Sequence, residues 1–388
     1  MSAEQGVASP EPGQKWRRGF WALILTQFQS AFNENGLKNL VIFLILAMGI
    51  EKDQRDWLVF LVGAMFALPF ILFSMTGGYL ADRFSKRSVT IGTKLFEIIV
   101  FVFAGFALAR QDLHMMLAAV FLASTENALF GPSKYGLLPE LLPTKCLSWG
   151  NGILELGTFL ALIAGSVAGA FWVDTFHGRQ IVPGAIFLSL SLLGLISSLG
   201  IARVAAADPA KRFRVNAFGD LWSQGKLMRS DRPLWLAVLG NTYFWFLGAL
   251  LQFNIILYGQ DVLKINSTHN GILQISIAIG IGLGSLAAGF LSSGKIEYGL
   301  IPLGSLGMTC LGFLLGIPRL SFMQVLIGLA GLGFAGGFFI VPINALMQHR
   351  PEESKKGGVL AAANLLSFVG VGAATGVYLV LTHYLRIG

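Results

Sequence analysis

Eleven long apolar stretches constrain this chain more than any other feature. They lie near residues 19–48, 57–81, 88–109, 113–138, 148–173, 181–203, 232–258, 270–293, 297–317, 320–347 and 357–385. A helical membrane span needs about 20 predominantly apolar residues. In hydrocarbon the backbone has to bond to itself, and a helix does so within one segment. Stretches this long and unbroken read as spanning helices, and Tyr and Trp are too scattered for the girdles of a transmembrane barrel. Only 12% of the residues are charged, about half the fraction of an ordinary soluble protein. The polar residues 1–18 read as a tail rather than a cleavable leader, since no short apolar run with a small-residue cleavage site follows them. Cys146 and Cys310 stand far apart and predict neither a disulfide framework nor a metal site.

The net charge of +8 could point to nucleic acid, but its distribution does not. With the N-terminus inside, the tail and the connections after even-numbered spans hold most of the 28 Lys and Arg residues. That asymmetry is the positive-inside rule. It predicts a cytoplasmic N-terminus and an affinity for anionic inner-leaflet lipids. The longest polar connection, 204–231, contains a basic amphipathic stretch around Phe213–Met228 and divides the chain. The expected plan is a tail (1–18), a six-helix bundle (19–203), a cytoplasmic linker (204–231) and a second bundle (232–388). Weak echoes support an internal repeat. Gly289–Glu297 resembles a decayed copy of Gly78–Arg87, Pro342 echoes Pro132, and Asn364 echoes Asn151. Six plus five spans predict a twelfth helix missing from the chain as it ends at Gly388, with a natural eleven-span protein as the alternative.

Charged groups at membrane depth are costly and mark cavities or partners. The first span is the richest: Gln27, Ser30, Glu34 and Lys38 share one helical face, with Asn35 and Asn39 beside it. Glu34 and Lys38 are placed i, i+4 in the favourable order for a pair. This density exceeds what one packing ion pair requires, so the face is expected to bind a head group or a coupling ion. Lys94 and Glu97 are spaced i, i+3 in the third span. Glu126 and Asn127 lie near the middle of the fourth, which then bends at Pro132 and reaches Lys134. Asn241 and Gln252 share a stripe of the seventh span, and Asn344 ends a run in the tenth. Candidate substrate-binding residues are therefore Gln27, Glu34, Asn35, Lys38, Lys94, Glu126, Asn127, Asn241, Gln252 and Asn344. Candidate gating residues are Asp82, Arg83, Lys86, Arg87, Lys134 and Glu155, with Asn151 and Glu155 expected to pair with the Asp82–Arg87 loop or with Lys134. The chain shows no P-loop, nucleophile elbow or His/Cys cluster, and its Gly280–Gly284 pattern falls inside a span, so neither an enzyme nor an ATP-driven pump is expected. No cofactor is expected, and coupling to H+ or Na+ stays open.

The loop Gly78-Tyr79-Leu80-Ala81-Asp82-Arg83-Phe84-Ser85-Lys86-Arg87 closely resembles the signature G-x-L-[small]-D-R-x-G-[RK]-[RK] of the major facilitator superfamily, with Ser85 in place of the late glycine. More specifically, Gln27–Asn35 resembles Q-F-x-S-A-F-x-[DE]-N. Ser133-Lys134-Tyr135-Gly136, with Pro132 before it, is similar to S-P-[AS]-K-Y-G. Gly336–Gln348 is similar to G-G-F-F-x-V-P-x-N-A-x-x-Q. In combination these resemble the bacterial lysophospholipid transporter family over nearly the whole chain. The resemblance implies an all-α major facilitator fold. It implies movement of lysophosphatidylethanolamine and lysophosphatidylglycerol from the outer to the inner leaflet of the bacterial inner membrane, where an acyltransferase restores the second chain. In some relatives that acyltransferase and an acyl-carrier-protein ligase are fused downstream. It places Glu34 as the first-span acid with Asn35 as its neighbour. Some relatives carry a basic residue near Gln252; here its role would pass to Lys38 or Lys94. A proton-coupled exporter of small amphipaths stays open as an alternative, as does a membrane anchor for a fused acyltransferase. The Gly-Pro pair usual in the fifth span of proton-coupled drug antiporters is lacking.

Overall fold

The computed structural model describes residues 15–48, 50–212, 217–265, 267–292 and 294–381. Most of the tail, residues 213–216 of the linker, and residues 382–388 with His383 and Arg386 lie outside the described residues. The helices are α1 (Lys15–Ala47), α2 (Lys52–Arg83), α3 (Lys86–Arg110), α4 (Leu113–Leu141), α5 (Leu147–Thr175), α6 (Ile181–Leu199), α7 (Ala217–Ser230), α8 (Arg232–Leu257), α9 (Ser267–Leu291), α10 (Leu300–Leu315), α11 (Phe322–His349) and α12 (Lys356–Leu379). Each apolar stretch has its helix, and α7 lies in the linker. Among the described residues, nine of these are long and apolar enough to cross a membrane. The α10 helix is shorter than the other helices formed by the apolar stretches. The α1 helix is long, but its own polar run from Gln27 to Asn39 dilutes it, and its neighbours bury that run.

Local chemistry sets several helix ends. Asp112 accepts from the Met115 amide at 3.1 Å to cap α4, and Ser321 with Gln324 forms a capping box on α11. Asp231 caps α8 and also accepts from Arg350 Nε at 2.8 Å, clipping α8 to the end of α11. The Arg350 hydrogen bond holds the Asp231 carboxyl below its ordinary value. The clip therefore persists at neutral pH and is lost as pH falls through that depressed value.

In the first half α1 packs against α5, α6, α4 and α2. The α1–α5 approach is close because of small residues: a Cβ on Gly169 would lie 2.8 Å from the Leu40 amide and 2.9 Å from the Gly36 carbonyl. In the second half α11 packs against α9, α10 and α8. The two halves meet through α2 with α12, and through α5 with α9 and α11. The named contacts cluster toward one end, where α2 turns into α3. Gly78 of α2 faces Gly357 and Ala361 of α12; a Cβ there would lie 2.8 Å from the Gly357 carbonyl. Gly152 of α5 abuts the Ser285 carbonyl of α9, and Gly289 abuts Trp149. Deeper along α2, Phe70 stacks on Phe368 with centroids 4.1 Å apart. Beyond that point Val59, Met65 and Phe66 turn into the core of their own half. The halves are thus closed together at the α2–α3 end, called the basic end below.

Candidate functional site

The polar run of α1 splits between two environments. Gln29, Ser30 and Asn33 point into the first half and meet Lys94 and Glu97 of α3, Glu126 of α4 and Ser191 of α6. Lys94 has no exposed surface. Its ammonium lies 2.5 Å from Glu97 Oε2 and 3.3 Å from Glu126 Oε1, and it also donates to Ser30 Oγ. Glu97 Oε1 accepts from Gln29 at 2.7 Å, Asn33 at 3.2 Å and Ser191 at 3.3 Å. Four helices are therefore tied to one buried cation with two carboxylates. Sequence spacing places Lys94 next to Glu97 but carries no sign of Ser191, whose helix lies far along the chain.

The other face of α1 holds Gln27, Glu34, Asn35 and Lys38. Gln27 joins α1 to α5 by donating to the Leu154 carbonyl and accepting from Thr158 at 3.1 Å. The expected Glu34–Lys38 ion pair does not form within 4 Å. Lys38 donates instead to Asn35 Oδ1 at 3.2 Å and lies 4.3 Å over the ring of Phe66. A lysine stem one turn away reaches either partner, and the aromatic face adds a cation–π contact at the Asn35 side. Glu34 Oε1 is buried without a hydrogen-bond partner among the described residues. Lys134 lies within electrostatic reach of Glu155, Glu34 and Glu126, while its ammonium stands 4.7 Å over the ring of Tyr135. Asn127 is half-buried and bonds only weakly to its own helix, to Ala123 at 3.4 Å. In the second half Asn241 donates to Ser367 at 2.7 Å, joining α8 to α12, and Gln252 is exposed near the end of α8.

The gating candidates fall into separate interfaces. Asp82, with no exposed surface, accepts from the Gly357 amide at 2.7 Å, the Gly358 amide at 3.0 Å and Lys211 Nζ at 2.6 Å. An acid of the first half therefore caps the opening turn of α12 in the second. Free amides and the positive end of the helix dipole favour a carboxylate at that place. A Cβ on Gly357 would lie 2.9 Å from Asp82 Cγ, so the approach needs glycine. Arg83 donates to the Lys211 carbonyl, and Arg87 to the carbonyls of Ile201 and Leu199, fastening the linker and the end of α6. Lys86 pairs with Glu140 of α4, inside the first half. Glu155 stands apart from this loop: it accepts from Asn344 of α11 at 2.9 Å and from Tyr135 at 3.3 Å. Asn151 likewise pairs reciprocally with Gln348 of α11, at 2.9 and 2.8 Å, rather than with the loop or Lys134.

Known proteins are similar to this chain over nearly its whole length. The family model described as Major Facilitator Superfamily matches residues 23–375. The lysophospholipid transporter LplT of Cronobacter sakazakii is 30% identical over 390 residues, covering 96% of this chain and 89% of that protein. The protein of the same name in Escherichia coli is 30% identical over 384 residues, covering 95% of this chain and 88% of its own length. The chain belongs to the lysophospholipid transporter family of the major facilitator superfamily. Solved facilitators share the fold at low identity. The human organic anion transporter MFSD10 superposes with a TM-score of 0.78 at 16% identity, over 96% of this chain and 94% of that one. FucP in its outward conformation gives 0.73 at 13%, over 94% and 92%.

For a facilitator, rocking of one half against the other needs contacts that can part without unfolding either half. Asp82 with the α12 amides, Asn151 with Gln348, and Glu155 with Asn344 are contacts of that kind. Lys86–Glu140 and the Lys94 cluster lie within the first half and can move with it. The partners of Asp82 that sequence reading missed are Gly357, Gly358 and Lys211. The Lys-Gly-Gly at the start of the last apolar stretch was the available sign, since a helix opening on two glycines presents bare amides to a neighbour.

Proposed function

We propose that this transporter carries lysophospholipids, with phosphoethanolamine or phosphoglycerol heads, from the outer to the inner leaflet of a bacterial inner membrane by alternating access. There the lipid would be available for reacylation by an acyltransferase. The observation that carries the reading is the 30% identity, over nearly the full length, to proteins named lysophospholipid transporters. The geometry supports it. Glu34, Lys38, Asn127 and Lys134 offer both signs of charge on the first half, as a head with a phosphate and an amine or hydroxyls requires. The Lys94 cluster beneath them fixes α1 against α3 and α4. Arg17, Arg83, Lys86, Arg87 and Lys145 all belong to the basic end, which the positive-inside rule places in the cytoplasm. On that orientation the closed basic end corresponds to an outward-facing state.

Labelled lysophosphatidylethanolamine offered to proteoliposomes tests the reading, with and without imposed proton or sodium gradients to decide coupling. Wild-type vesicles are expected to move label to the protected leaflet. Glu34→Gln should lower the rate about tenfold or more, the cost of one charge-assisted bond, with membrane yield unchanged because glutamine keeps the side chain's size and an acceptor for Ser124. Uptake no higher than in empty liposomes, from folded wild-type protein, would sink the reading.

A further inference from the structure

The linker helix α7 carries a feature that transport by rocking halves does not use. Trp222, Gly225, Lys226 and Arg229 recur at helical spacing on one face. With Trp235 of α8 and Leu366 of α12 they border a groove of about 430 Å³ at the basic end. Trp222 is 74% exposed, an unusual position for a tryptophan unless its ring lies in a membrane interface. Lys226 and Arg229 form no ion pair among the described residues. The neighbouring acids Asp231, Glu352 and Glu353 are engaged by Arg350, Lys355 and Lys356 respectively. The Arg229 guanidinium lies 5.0 Å over the face of Trp235, which leaves its edge donors directed away from the ring. The groove thus combines aromatic and aliphatic walls with two rim cations that form no ion pair among the described residues. A Cβ on Gly225 would meet nothing within 4 Å, so no described residue fills the space there.

We propose that this groove holds one anionic phospholipid of the surrounding leaflet. Its phosphate would lie by Lys226 and Arg229, and its first acyl carbons against Trp222, Trp235 and Leu366. The charge complementarity selects an anionic head, and the apolar walls select a lipid over a free phosphate. The site is distinct from the Glu34 face and does not depend on which lipid is carried. Purified full-length protein, titrated with phosphatidylglycerol in detergent and read by native mass spectrometry, tests it. Wild type should retain one phosphatidylglycerol in preference to phosphatidylcholine, and should not retain glycerol phosphate. Lys226→Gln with Arg229→Gln should weaken retention roughly thirty-fold, at about 1 kcal/mol for each interfacial charge. Gly225→Leu fills the groove while improving helix propensity, so its expected loss of the lipid cannot be a folding defect. Lys145→Gln removes one charge elsewhere on the same end and should change nothing. Equal retention of phosphatidylcholine, unchanged binding in Gly225→Leu, or an equal loss in Lys145→Gln would each overturn the proposal.

Discussion

Replacing Lys94 with methionine should destabilise the first half by about 3–5 kcal/mol, the cost of stranding a buried charge by removing its partner. Two carboxylates, Glu97 and Glu126, would remain in a site where neither has more than 2% side-chain exposure. Methionine matches the volume of the lysine stem, so the loss is electrostatic rather than a cavity. The expected results are a much lower detergent melting temperature and a poor membrane yield. Restoring neutrality identifies the cause: adding Glu97→Gln and Glu126→Gln to Lys94→Met should recover most of the stability, because a neutral, hydrogen-bonded cluster has no charge left to compensate. Glu126→Gln alone should cost less, since Lys94 keeps Glu97. Wild-type melting of Lys94→Met would show that the cluster does not hold α1, α3, α4 and α6 together.

The helices other than α7 were legible because membrane depth leaves few alternatives: apolar length alone located each of them. The α1 helix was the instructive exception. Its polar run is too rich for a lipid-exposed span, and the same richness marks it as the helix that neighbours surround. Helical spacing put Gln27, Ser30, Glu34 and Lys38 on one face, but spacing cannot choose among partners on other helices, and Ser30 turned instead to Lys94 and Glu126. Lys38 reached Asn35 and Phe66 instead of Glu34, and Asn151 reached Gln348 of α11 instead of the Asp82 loop. Those choices depend on how α5 docks against α11, which no local pattern encodes. The Asp82 motif pointed to a gate. Its counterpart, a pair of backbone amides, has no side-chain chemistry to read in a sequence beyond the absence of one at Gly357 and Gly358.

Asp82→Ala should release the basic end. The substitution removes the acceptor for two amides at the start of α12 and the counter-charge of Lys211, all of which join the first half to the second half or to the linker. Charge-assisted hydrogen bonds contribute about 1.5–3 kcal/mol each. Even one such bond, lost only from the closed state, shifts the balance between states about ten- to hundred-fold. Neither half loses a core contact, so the melting temperature should change little while the conformation changes greatly. Spin labels at Lys145→Cys and Lys295→Cys, in a Cys146→Ser and Cys310→Ser background, report on the two sides of this end, where Lys145 lies against Gly294. The wild-type distance distribution should be short, and Asp82→Ala should move most of it to longer distances. Asp82→Asn keeps an acceptor without the charge and should fall between them. Glu140→Gln breaks the Lys86 pair, which lies within the first half, and should leave the distribution short. If Asp82→Ala also left it short, closure would rest on the glycine-mediated packing of α2 against α12 and of α5 against α9. If Glu140→Gln lengthened it as much, the effect would follow from basic-end charge in general rather than from the cap on α12.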